Sequence, residues 1–99
     1  MTVFSARLKE ARIAAGLSQE RLGVMAGIEE ASASARMNQY ERGKHHPDYS
    51  VVERIARVLD VPEEFFYAKS DEAAALLIAY HRASPARKRK IVELAKLPE

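Results

Sequence analysis

Glycine and proline fall at positions 16, 23, 27, 43, 47, 62, 85 and 98 and cut the chain into short segments. Glycine interrupts regular structure through its conformational freedom, proline through its fixed ring and missing amide hydrogen. Between these breaks the apolar residues recur at spacings of three and four, not two, so each segment reads as an amphipathic helix of about two to four turns. No segment has the alternation of a strand. An all-α fold follows.

Local signals place the helices. Ser5 to Ala15 aligns Leu8, Ala11 and Ala15 on one stripe, with Gly16 positioned to end the helix. Ser18 precedes Gln19, Glu20 and Arg21, and its hydroxyl is expected to cap a second helix with Leu22, Met25 and Ala26 inward and Gly27 as terminator. A small-residue stretch, Glu29 to Ala35, leads into a third helix, placed at about Ala33 to Arg42, in which Met37 and Tyr40 face inward and Gly43 ends the run. Val51, Val52, Ile55, Val58 and Leu59 form the stripe of a fourth, and Pro62 suits the first turn of a brief fifth that carries Phe65 and Phe66. Residues 1–67 thus make a five-helix unit. In residues 68–99, Ser70 caps a helix through Arg82, and Ser84 with Pro85 starts another through about Lys96; the short turn between them predicts an antiparallel C-terminal helical hairpin.

Composition narrows the function. A chain of 99 residues has room for one small domain and an appendage, not for a separate ligand-sensing domain. It has no cysteine, which excludes disulfides, thiolate zinc sites and thiol catalysis and suits a reducing cytoplasm. The longest apolar run, Ala73 to Tyr80, falls far short of the roughly 20 residues that span a bilayer, so no membrane association is expected. No serine is coupled to His45, His46 or His81, no glycine-rich phosphate loop is present, and the two loop histidines lack a spaced third ligand. The expectation is a cytoplasmic protein that is not an enzyme and needs no cofactor or metal.

Net charge is only +2, so the placement of charge matters more than its sum. On the third helix, a step of about 100° per residue puts Ala33, Met37, Tyr40 and Glu41 on one side. Ser32, Ala35, Gln39 and Arg42 lie opposite, flanked by Arg36 and Asn38. Such a face suits base edges in a DNA groove: arginine pairs with guanine, glutamine or asparagine with adenine, and alanine meets a thymine methyl. The alternative at this level is an ordinary solvated polar face.

The surrounding residues resemble a known pattern. Arg7, Leu8, Arg12, Gly16-Leu17-Ser18-Gln19, Leu22, Ala26-Gly27, Tyr40-Glu41-Arg42-Gly43-Lys44 and Pro47, continued by Ile55, Ala56, Leu59 and Val61, resemble the Xre, or lambda-repressor-like, helix-turn-helix family over about residues 6 to 67. The resemblance implies that Ser34, Ala35, Arg36, Asn38 and Gln39 contact bases. It implies that Gln19, Arg42 and Lys44 contact phosphates, and that Arg12 and Glu41 form an ion pair fixing the third helix. Two departures stand out: Gly23 replaces the family's usual alanine, and Gly27 lies farther from Glu41 than the pattern has it, which means either a longer turn or an earlier helix start. The extra residues fall within Glu29 to Ser34, and the Glu30 to Glu41 stretch together with the helical tail is similar to controller proteins of restriction-modification systems and related prophage regulators.

The resemblance implies a regulator of transcription that binds double-stranded DNA as a homodimer on inverted half-sites, as family members do, and acts by blocking or recruiting RNA polymerase. Leu76, Leu77, Tyr80, Ile91 and Leu94 offer more apolar surface than a small hairpin needs internally and are assigned to the dimer interface, the alternative being packing against the same monomer's core. Arg87 to Lys90 reads either as a phosphate-contacting run or as a solvated helix face. The rival function is an antitoxin-like or adaptor module that holds a protein partner with its tail.

Overall fold

The computed structural model describes all 99 residues. Six α-helices, α1 (Val3–Ala14), α2 (Gln19–Met25), α3 (Glu30–Glu41), α4 (Tyr49–Leu59), α5 (Asp71–Arg82) and α6 (Pro85–Lys96), are joined by short connections, with a 3-10 helix at Glu63–Tyr67 between α4 and α5. The chain is all-helical, and no helix is long and apolar enough to cross a membrane.

Side-chain caps start most of these helices. At α1, Thr2 and Ser5 cap reciprocally: Thr2 Oγ1 accepts from the Ser5 amide at 3.0 Å and Ser5 Oγ from the Thr2 amide at 2.8 Å. The helix therefore begins ahead of Ser5, which serves as the third residue of a capping box. Ser18, Ser70 and Ser84 accept from the amides of Arg21, Ala73 and Arg87 at 3.0, 3.0 and 3.1 Å, each such cap contributing about 1 kcal/mol.

Three expectations need correction, the first being the stripe of α1: Ala15, placed inward, lies just past the helix end and is exposed. Glu29 precedes α3 without a side-chain cap bond, so the helix start carries no sequence signal and lies at Glu30, not near Ala33; the additional residues after Gly27 lengthen the helix. Met25 is 48% exposed, and Gly23 and Ala26 share with Leu22 the inward face of α2. The brief fifth helix is present after Pro62 as the 3-10 helix, short enough to tolerate the poorer geometry of that form.

The core is built where α1 to α4 pack together, closed by the 3-10 helix against α1 and α4. Leu8, Leu22, Met37, Ile55 and Phe66 are completely buried. Phe66 lies 5.2 Å from Phe4 and 5.6 Å from Phe65 between ring centroids, in tilted and edge-on arrangements that aromatic quadrupoles favour.

The next helix, α5, is held at both ends. Arg7 of α1 is buried and donates to the Ala68 carbonyl at 2.9 Å, to Glu10 at 2.9 Å and to Asp71 at 3.0 Å. The hydrogen bond to Glu10 is the main influence holding this guanidinium above its ordinary pKa; burial opposes it, and the bond to Asp71 adds to it. At the other end Arg82 donates to the carbonyls of Asp60 and Leu59 at 2.9 and 3.2 Å, and His81 Nε2 lies 3.1 Å from the Asp60 carboxylate. These bonds gather around the end of α4, where Asp60 adopts a left-handed conformation that Asp tolerates better than most residues. Between the two clamps Ala74 is buried and Ile78 packs against the core.

By contrast, α6 buries none of its residues. The C-terminal hairpin is open: a groove of about 380 Å3 separates α5 from α6, lined by Leu76, Leu77, Tyr80, Ile91, Val92 and Ala95. Near the turn Lys88 Nζ sits 5.4 Å from the centre of the Tyr80 ring.

Replacing the fully buried Phe66 by alanine is expected to lower stability by about 3–5 kcal/mol, through lost apolar burial and the cavity left behind. Chemical denaturation of the Phe66→Ala variant checks this; a loss below about 1 kcal/mol is inconsistent with the packing described.

Candidate nucleic-acid interface

The α2–turn–α3 unit presents one face of α3 to solvent and locks the other. Ala33 and Met37 are completely buried, and Tyr40 and Glu41 nearly so. Ser34, Ala35, Arg36, Gln39 and Arg42 are exposed along the remaining face, Lys44 is exposed just beyond the helix, and Asn38 is half-buried. The helix ends at Gly43, whose φ of 73° is open to glycine at little cost. There the Lys44 amide donates to the Gln39 carbonyl at 3.0 Å and the Gly43 amide to the Tyr40 carbonyl at 3.3 Å, which satisfies two terminal carbonyls and turns the chain sharply away.

Beneath this face is a polar network. The Arg12 guanidinium grips Glu41 through two bonds, Nε to Oε2 at 2.5 Å and Nη2 to Oε1 at 3.1 Å, and its Nη1 donates to the Leu17 carbonyl at 2.8 Å. Glu41 is 3% exposed and sits at the carboxyl end of α3, where the helix dipole disfavours a negative charge. The fork of Arg12 supplies the compensation, in the planar bidentate geometry that makes such pairs strong.

Gln19 extends the network. Its Nε2 donates to Glu41 Oε1 at 3.2 Å and to Asn38 Oδ1 at 3.3 Å. Arg12, Gln19, Asn38 and Glu41 are thereby joined across α1, α2 and α3, while Ser34, Ala35, Arg36, Gln39, Arg42 and Lys44 stand clear of it. Two residues for which the sequence suggested only outward contacts, Gln19 and Asn38, thus also hold the two helices together. Their complementary amides were the available signal, but pairing them requires the helix crossing to be known.

The loop after α3 borders the same surface. Arg36 and Gln39 share a shallow cleft with His45 and His46. His46 is committed to the scaffold: its Nδ1 donates to the Pro47 carbonyl at 2.8 Å, its Nε2 accepts from the Tyr67 hydroxyl at 3.3 Å, and its ring centre lies 4.5 Å from that of Phe4. His45 is exposed. Arg54, to which the sequence assigned no role, donates to the Ala26 carbonyl at 2.7 Å and ties the end of α2 to α4.

No cluster of histidine, aspartate or glutamate is arranged to hold a metal ion. On the tail, Leu76, Leu77, Tyr80 and Ile91 line the open groove, whereas Leu94 lies outside it and is 71% exposed.

Two helices joined by a tight turn, the second with its outer face free and its inner face buried, define a helix-turn-helix module. The helix-turn-helix domain family matches residues 3–65, and the chain belongs to it. Among solved structures, that of the transcriptional regulator BswR is similar at 43% sequence identity and a TM-score of 0.86, covering 97% of this chain and 93% of that one. No curated protein matches. The likeness to BswR extends past the helix-turn-helix and takes in the C-terminal helix pair.

Truncating Arg12 to alanine leaves the Glu41 carboxylate buried without its partner and is expected to cost about 3–5 kcal/mol of stability. In a double-mutant cycle with Glu41→Gln, denaturation should give a coupling energy of about 1–3 kcal/mol; additivity of the two losses would contradict the network.

Proposed function

We propose that this protein is a sequence-specific regulator of transcription that binds double-stranded DNA as a homodimer on an inverted-repeat operator. The observation that carries the proposal is the exposed row of Arg36 and Gln39 on α3, a helix whose opposite face is buried and whose end is anchored by Arg12 and Glu41. A rigid helix with small polar and basic residues outward can enter a major groove with its register already set. Membership of the helix-turn-helix family and the likeness to the transcriptional regulator BswR support the same reading.

In this reading Ser34, Ala35, Arg36, Asn38 and Gln39 face bases, with Arg36 suited to guanine and Gln39 to adenine. Arg42 and Lys44 contact phosphates from the end of α3, and Gln19 does so at the start of α2, where unbonded backbone amides favour an anion. Residues 1–67 form the DNA-binding domain and residues 68–99 the dimerisation element. A second copy covers the apolar groove between α5 and α6 at Leu76, Leu77, Tyr80 and Ile91, and Leu94 joins from the outer side of α6. The two recognition helices then lie about 34 Å apart, one helical turn of DNA. Operator position decides whether the bound dimer blocks or recruits RNA polymerase. The long α3 and the helical tail fit the controller and prophage-regulator subgroup, acting in the cytoplasm.

Titration of the purified protein onto duplexes from its own upstream region, at several salt concentrations, tests the proposal. Binding with sequence preference and a clear salt slope is expected; binding with neither, alongside capture of a protein partner by the tail, would favour an adaptor. Gln39→Ala should lower discrimination at one base position per half-site by about 1–3 kcal/mol, while Lys44→Ala should weaken binding to all sequences alike and reduce the salt slope by about one. Sedimentation of an Ile91→Asp variant should show a monomer where the unaltered chain sediments as a dimer.

A further inference from the structure

We infer that Gly23 is a positioning residue for α3: by having no side chain it sets how closely the first turn of α3 seats on α2, and hence where Arg36 and Gln39 point. This inference rests on the assignment of α3 as the DNA-reading helix.

Gly16, Gly27 and Gly43 occupy positive-φ positions just past helix ends, but Gly23 lies inside α2, where glycine weakens a helix relative to alanine. It is buried, and the space where a Cβ would stand is already taken. A Cβ built there lies 2.8 Å from Ala33 Cβ, 3.1 Å from the Ala33 carbonyl oxygen and 3.2 Å from Ala33 Cα. None of these atoms can swing aside by a rotamer change, because the methyl carbon is fixed to the backbone and the other two belong to it. An added methyl must therefore move the helices apart.

Where α3 can yield is set by its other end. Glu41 is held by Arg12 and Gln19, and a Cβ added at Gly43 would lie 3.6 Å from Ser5 Oγ and from the Thr2 amide nitrogen, so α1 stands close beside that end as well. Ala33, completely buried in the amino-terminal half of α3, lies eight residues from Glu41, about 12 Å along the axis at 1.5 Å per residue. Displacement at Ala33 tilts the helix about its anchored end, and Arg36, farther from the anchor, moves more than Gln39.

The test compares full-length Gly23→Ala, Ala33→Gly and the double variant with the unaltered protein. Two quantities are read: the ratio of affinities for a duplex selected by the unaltered protein and a scrambled duplex, and the backbone amide shifts of residues 30–41. For Gly23→Ala we expect a loss of about tenfold or more in the ratio, little change on the scrambled duplex, and shift changes that grow toward the amino end of α3. Ala33→Gly alone should keep the ratio, and the double variant, in which the shortest contact is removed while the two backbone contacts remain, should regain part of what Gly23→Ala loses. An unchanged ratio in folded Gly23→Ala, or no recovery in the double variant, overturns the inference. If Gly23→Ala does not fold, the double variant decides: recovery of fold and ratio supports the inference, and failure of either overturns it. Should the unaltered protein prefer no duplex, the assignment of α3 to DNA fails; the seating of α3 is then decided by the amide shifts of Gly23→Ala.

Discussion

A carboxylate buried at the wrong end of a helix organises this protein. Glu41 sits at the carboxyl terminus of α3, against the helix dipole and nearly out of water, a position untenable for an isolated charge. Arg12 makes it tenable, and because the guanidinium is planar and its bonds to Glu41 are bidentate, the remedy also fixes orientation. Arg12 stands in the last turn of α1, where a cation is favoured, so one pair corrects an unfavourable helix end while using a favourable one. A hydrophobic contact at that place would hold the helices together without setting the rotation of α3 about its axis. Base reading, in the proposed function, depends on that rotation.

The sequence made this arrangement legible to different depths. Helix order, the serine caps and the rotation of α3 that buries Ala33, Met37, Tyr40 and Glu41 could be read because they are local: they depend on spacing and on residue types that satisfy nearby amides. The start of α3 could not be read, since Glu29 provides no capping oxygen to the helix amides and several small residues in a row carry little periodicity. Met25 was misplaced for a related reason. Its spacing from Leu22 fits an inward stripe, but the close approach of α3 at Gly23 shifts the buried face toward Gly23 and Ala26. Bonds between distant parts, such as Arg7 to the Ala68 carbonyl, Arg54 to the Ala26 carbonyl and Arg82 around Asp60, had no local signal at all.

Those distant bonds bear on the proposed division of the chain after residue 67. The expected boundary after residue 67 separates a DNA-binding unit from a helical appendage, yet α5 is tied to the first unit at both ends by arginines donating to backbone carbonyls. Carbonyl acceptors near helix ends are otherwise left to water, so these bonds complete α4 and the 3-10 segment as well as anchoring α5. The less constrained element is α6, which buries nothing and leaves the groove beside α5 unfilled.

This unequal anchoring bears on how a dimer would measure DNA. A recognition helix on a flexible tether can reach half-sites at many separations, and it gains little discrimination from spacing. Here the path from α3 to the groove runs through the Arg12–Glu41 pair, the shared core and a helix clamped at both ends, with no linker along it. In the proposed dimer, the distance and angle between the two reading helices follow from how a second copy seats in the α5–α6 groove. Spacing then becomes part of the specificity, because a half-site displaced by one base pair, about 3.4 Å along the duplex and rotated about its axis, cannot be met without disturbing packed or hydrogen-bonded contacts. In that proposed dimer the open hairpin would supply the association surface, and the clamped helix beside it would make the association report on geometry.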